Sequence, residues 1–217
     1  MVISVILLFV WSAYSIMRSR QKAKQKGLLF YSELAPHMDQ YELSKNSTQF
    51  PILSGVYKGY EVKIVPETDS LVLRQMPRLY VRIYINIPNA VLFRLRKLGI
   101  ETQSNHLFKP SIFEKSHSDI RLNDQEYRLF LGDNDYPLNI EDSLAQLFPA
   151  SNKCAELLFQ KDFIRLTILL TKSNLSAYVM TRSVDYNNLI FSEEFFQTHF
   201  QAILELHKVL NQISASR

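Results

Sequence analysis

Five histidines, one cysteine, a close pair of aspartates and a cluster of arginines are the side chains through which this sequence could act on another molecule. His37, His106, His117, His199 and His207 contain no HExxH pair. His199 and His207 stand two turns apart on one predicted helix, too far to share a metal alone. Cys154 is the only thiol, which excludes an internal disulfide and any zinc site built on several thiolates. Its one basic neighbour is Lys153, and a buried, inert thiol is the expectation.

Asp133 and Asp135, in GDNDYP, put two hard oxygen ligands in one turn, the chemistry of Mg²⁺ or Ca²⁺. The glycine and glutamate of a calcium loop do not follow, and Asp and Asn favour turns for backbone reasons. Glu193 and Glu194 suit the first turn of a helix, where the dipole favours anions without any catalysis. No GxSxG elbow occurs. The five glycines, Gly27, Gly55, Gly59, Gly99 and Gly132, are too dispersed to cradle phosphates in the P-loop or dinucleotide manner. These patterns call for no metal and no cofactor.

The densest chemistry is cationic. Residues 70–100 hold Arg74, Arg78, Arg82, Arg94, Arg96 and Lys97 and no acid. Within them, residues 78–87 alternate: Leu79, Val81, Ile83, Ile85 and Ile87 fall on one side, and Arg78, Tyr80, Arg82, Tyr84 and Asn86 on the other. Pro88 and Asn89 read as a turn into VLFRLRKL, so a hairpin is predicted that gathers Arg78, Tyr80, Arg82, Tyr84, Arg94 and Arg96 on one sheet surface. Guanidinium forks and phenol hydroxyls suit phosphates or carboxylates, from a lipid headgroup, a small anionic ligand or an acidic patch on a protein. The competing reading is an ordinary polar sheet face whose arginines pair with acids from elsewhere in the fold. Nucleic acid is not an expected partner, because the glycine-flanked aromatics of base-stacking modules are missing.

The elements that would position these residues follow from pattern. Residues 28–43 read as helical, interrupted near Pro36, and residues 44–49 as a loop. Residues 52–65 form two β-rich runs around Lys58 and Gly59, a tight hairpin. Residues 99–124 lack periodicity and read as a long connection. A strand at 126–131 leads to a short helix at 140–148, with Asn139 as its cap, and a second short helix is predicted over 151–160. FIRLTILLT and LSAYVMTR, joined at Ser173 and Asn174, read as a third hairpin. Ser192 then caps a final helix, with Glu193 and Glu194 in its first turn, whose Phe196, Phe200, Ile203, Leu206 or His207, Leu210 and Ile213 form an apolar stripe. Strands without regular βαβ alternation predict an α+β domain: a largely antiparallel sheet packed against helices.

Ahead of that domain, residues 2–17 read VISVILLFVWSAYSIM, uncharged and apolar on all sides. Arg18, Arg20, Lys22, Lys24 and Lys26 follow with no acid among them. The whole chain of 217 residues carries 25 Lys and Arg against 21 Asp and Glu, so without those five cations the remainder is close to neutral. The basic balance belongs to one short segment and does not argue for nucleic acid. Charges after the apolar run, not before it, mark an uncleaved anchor over residues 1–17 rather than a signal peptide. Its apolar length, roughly 25 Å, is slightly short of the ~30 Å hydrocarbon core, which snorkelling arginines and interfacial Trp11 and Tyr14 can accommodate. Retention of cations on the inner side predicts a single pass through the cell (inner) membrane. The N-terminus is then outside, residues 18–27 form a basic linker on the headgroups, and residues 28–217 form a cytoplasmic domain. The function expected of such a chain is non-enzymatic binding of a protein partner at the membrane, as a scaffold or accessory subunit. Anionic lipid or small-anion binding by the Arg/Tyr face is the alternative, and an enzyme with a site assembled around Asp133 and Asp135 or His106 and His117 is the third.

Overall fold

In the computed structural model, nine strands form one fully antiparallel sheet. The structure describes residues 27–46, 48, 50–69, 77–99, 117–122, 124–132, 140–147, 153–172, 186 and 189–215, and positions 11, 14, 17, 18 and 25. The strands are β1 (Asp39–Ser44), β2 (Ile52–Tyr57), β3 (Tyr60–Asp69), β4 (Arg78–Asn86), β5 (Phe93–Lys97), β6 (His117–Leu122), β7 (Gln125–Leu131), β8 (Cys154–Phe159) and β9 (Phe163–Lys172). Among the described residues, a 3-10 turn (Ala35–His37) precedes β1, and the helices that follow strands are α1 (Ile140–Leu147) and α2 (Glu193–Ala215). The sheet order is β1-β2-β3-β4-β9-β8-β5-β7-β6. An α+β domain with a large antiparallel sheet and a few helices is therefore what the chain forms.

The best-patterned segments fold as their residues dictate. Lys58 and Gly59, both at positive φ (49° and 84°), turn β2 into β3. On β4 the alternation is realised, with Leu79, Val81, Ile83 and Ile85 at most 1% exposed. They face the same core as Phe196, Phe200, Ile203, Leu206 and Leu210, the buried stripe of α2. Ser192 caps that helix, its Oγ accepting from the backbone N–H of Phe195 at 3.1 Å. Each of these large side chains contributes about 1.5–3 kcal/mol by leaving water. The helix α1 packs beside α2 on the same side, burying Ile140 and Leu144.

Four expectations change. Residues 39–44 form strand β1 rather than helix, an exposed edge whose side chains show no alternation to read. Residues 154–159 form strand β8 rather than helix; CAELLF is buried at every position, and a short run apolar but for Glu156 carries no period that separates the two. Strands β4 and β5 do not pair as a hairpin, because the β8–β9 hairpin is inserted between them. Part of the expected 99–124 connection is strand β6, and β9 takes β8 as its described hairpin partner. The second limb of the hairpin expected after Ser173, and the cap expected at Asn139, lie outside the described residues.

Among the described residues no helix is long and apolar enough to cross a membrane. The proposed anchor and basic linker lie outside them except at positions 11, 14, 17, 18, 25 and 27. Trp11, Tyr14 and Met17 are helical and 70%, 60% and 62% exposed. Just downstream, Phe30 is fully buried, stacked on Phe50 with ring centroids 4.3 Å apart.

Candidate functional site

The sheet has two faces: one lies under α1 and α2, and the other carries the arginines. Directly paired residues in antiparallel strands share a face, so register traces the second face across the molecule. Arg82 on β4 pairs with Thr167 on β9, Thr167 with Glu156 on β8, Glu156 with Arg96 on β5, Arg96 with Arg128 on β7, and Arg128 with Asp119 on β6. One polar rung thus crosses six strands. The next rung holds Tyr84, Arg165, Leu158, Arg94 and Phe130. The sequence-derived set therefore lies on one face of the sheet, although the hairpin that was to unite it does not exist.

What the sequence did not supply is the acids. Glu156, fully buried, accepts from Arg94 Nε at 2.6 Å and from Arg165 Nη2 at 2.7 Å, with the Thr167 hydroxyl 3.5 Å away. The Arg94 side chain is 3% exposed. Burial lowers the Arg94 pKa against the pull of Glu156. At Arg165 burial acts the same way, but Glu156 and Tyr84 outweigh it and the net shift is upward. Arg82 pairs with Glu67 on the neighbouring strand at 2.9 Å. Arg128 and Asp119 form a two-pronged pair at 2.8 and 3.2 Å. An incoming anion would have to compete with these carboxylates for Arg82 and Arg94.

The remaining members sit among rings and strands. The guanidiniums of Arg96 and Arg94 lie 5.3 and 5.9 Å from the Phe130 centroid, and Arg165 lies 6.0 Å from that of Tyr84. Tyr80 is fully buried with Ala155 against Leu169, and Arg78 stands opposite Asp69 and Lys172. A signal for the missed partners existed: Glu156 is the lone charge in CAELLF, and Arg165 the lone charge in FIRLTILL. A single ionisable residue in an apolar strand must find a counter-charge.

No family model, curated protein or solved structure matches this chain. Its chemistry rests on its own geometry.

Several other reactive groups are held in the core. Cys154 is fully buried; burial and the nearby Glu156 carboxylate push its thiol well above the ordinary range. His199, on α2, donates from Nδ1 to the Phe195 carbonyl at 2.8 Å, and burial lowers its pKa. Burial, reinforced by a hydrogen bond to Glu193, pushes Tyr57 up to about 12. Among the described residues no group of three His, Cys, Asp or Glu side chains converges as a metal site. Asp133, Asp135, His106 and the His117 side chain lie outside the description.

Toward β1 the polar face opens. A trough of about 790 Å³ crosses β1 to β4 and reaches the start of β9. Glu42, Glu61, Lys63, Tyr84, Asp162 and Phe163 line it. The rings of Tyr84 and Phe163 lie 5.7 Å apart, and Asn86 donates to Glu61 at 2.8 Å. Its β1 wall depends on Gly55: a Cβ there would stand 3.0 Å from the Tyr41 Cα and 3.2 Å from the Asp39 carbonyl. The left-handed Gln40 (φ 49°) and a register shift between Asp39 and Glu42 shape that wall.

Proposed function

We propose that this chain is a non-enzymatic, single-pass anchored protein whose domain, residues 28–217, binds a protein partner at the cytoplasmic face of the cell membrane. The observation that carries the reading is the contrast at its start. Trp11, Tyr14 and Met17, which belong to an apolar stretch of the sequence, are helical yet exposed, and five cations separate them in sequence from Phe30 in the core. Apolar side chains in that arrangement are satisfied by a bilayer, with the cations held on the inner side. Among the described residues, three groups with catalytic potential are engaged in the fold: Cys154 is sealed in the core, His199 bonds a helix carbonyl, and Glu156 bridges two arginines.

A topology experiment tests the first half. Because Cys154 is buried, it stays silent in the native protein, and a cysteine introduced by Ile190→Cys, at a 47% exposed position, serves as the reporter. A membrane-impermeant maleimide is expected to miss that cysteine in intact cells and to label it in inverted vesicles. Labelling in intact cells, or recovery of the full-length protein from the soluble fraction alone, defeats the anchored reading.

A further inference from the structure

Among the described residues, the polar face is open to a partner at the trough, and its charge is opposite to that of the arginine-rich centre. Glu42, Glu61 and Asp162 stand against Lys63, a formal charge of −2 for the lining. The three acids come from β1, β3 and the turn that precedes β9, so the negative charge is spread along the trough. A distributed charge matches a chain bearing several cations better than a single bound ion. Tyr84 and Phe163 provide an aromatic floor between the acids, suited to lysine or arginine stems and to cation–π contact. The volume lies within the ~300–1,000 Å³ typical of ligand clefts, but the trough is open across five strands, as a peptide requires.

One population of basic chains is concentrated where the proposed function puts this domain. Segments of integral membrane proteins that emerge on the cytoplasmic side are enriched in Lys and Arg. Resting on that function, we infer that the trough docks a Lys/Arg-rich juxtamembrane segment of another integral membrane protein. Anionic headgroups are disfavoured there by the same charge.

The test uses full-length protein in nanodiscs of zwitterionic lipid. The probe is a fluorescein-labelled lysine-rich peptide containing tryptophan, compared with its glutamate-for-lysine counterpart and with spermidine. Anisotropy is expected to report binding of the basic peptide alone, weakening with salt. Affinity should fall at least tenfold in Glu42→Gln/Glu61→Gln/Asp162→Asn and rise in Lys63→Gln. Equal binding of the acidic peptide, spermidine binding as tight as the peptide, or unchanged affinity in the folded triple variant overturns the inference. Should near-UV circular dichroism show the triple variant unfolded, Lys63→Gln decides alone, and no tightening overturns it. In cells, a photo-crosslinker at Tyr84 should join a Lys/Arg-rich segment beside a membrane span. A crosslink from Tyr84 to any other kind of segment, or crosslinks only from other surfaces, overturns the docking inference and leaves partner binding standing. No protein joined from any exposed position removes both.

Discussion

The two halves of the polar sheet face use the same kinds of residue to opposite ends. Around Glu156, carboxylate and guanidinium are shut away with exposures of 0% and 3%, and every hydrogen bond between them runs across strands. Around Glu61, acids and a lysine border an open trough. The contrast teaches that charge on a sheet face has no fixed meaning: desolvated and paired it specifies the fold, while solvated it is available to another molecule.

The largest effect should come from breaking the closed half. Glu156→Gln leaves the buried Arg94 and the partly buried Arg165 without their anion, and a loss of about 3–5 kcal/mol in urea unfolding is expected. A loss below about 1 kcal/mol would mean that the pair is solvated, and the contrast would disappear. Next, Gly55→Val pushes a side chain into Tyr41 and the backbone of Asp39, costing about 1–3 kcal/mol as β1 is displaced. Peptide binding in the trough should fall with it, since β1 is one wall.

The helix-covered face supplies a control through pH. His199 has a lowered pKa in the fold, so as pH falls through its unfolded value the unfolded chain takes up the proton first. Its contribution is complete above that value and is lost on acidification. Melting temperature should therefore drop between pH 7.5 and 5.5, and His199→Gln should flatten that part of the profile. A profile unchanged in the variant would assign the acid response elsewhere. The smallest effect belongs to the open half: Glu61→Gln, an exposed change, should alter stability by no more than about 0.5 kcal/mol. A cost comparable to that of Glu156→Gln would show that the trough is part of the folded core.

How much of this was legible follows from how local each signal is. The alternation from Arg78 to Asn86, the Lys58–Gly59 turn and the Ser192 cap are written in neighbouring residues, and all three are realised. That Arg94 and Arg96 share a face was legible from strand period alone, whereas Arg82 joins them through β9 and β8 and not through the expected hairpin. Their counter-charges were not legible. Glu156 lies 62 positions from Arg94 in sequence, and its strand reads equally well as helix. The trough was invisible for the same reason: Glu42, Glu61 and Asp162 become neighbours only after nonlocal pairing.

The insertion of β8 and β9 between β4 and β5 also sets an order of assembly. Synthesis from the amino end delivers β1–β4 and β5–β7 as separate partial sheets, each presenting an unpaired edge and an apolar face. The ribosome adds roughly 5–20 residues each second, so these fragments wait for several seconds before Phe163–Lys172 emerges to bridge them. Throughout that interval the edge of β4, rich in Ile, Val and Tyr, is a template for pairing with any other extended chain. The last hairpin is therefore the keystone of the sheet, and chains halted before β9 should be the ones that aggregate or recruit chaperones.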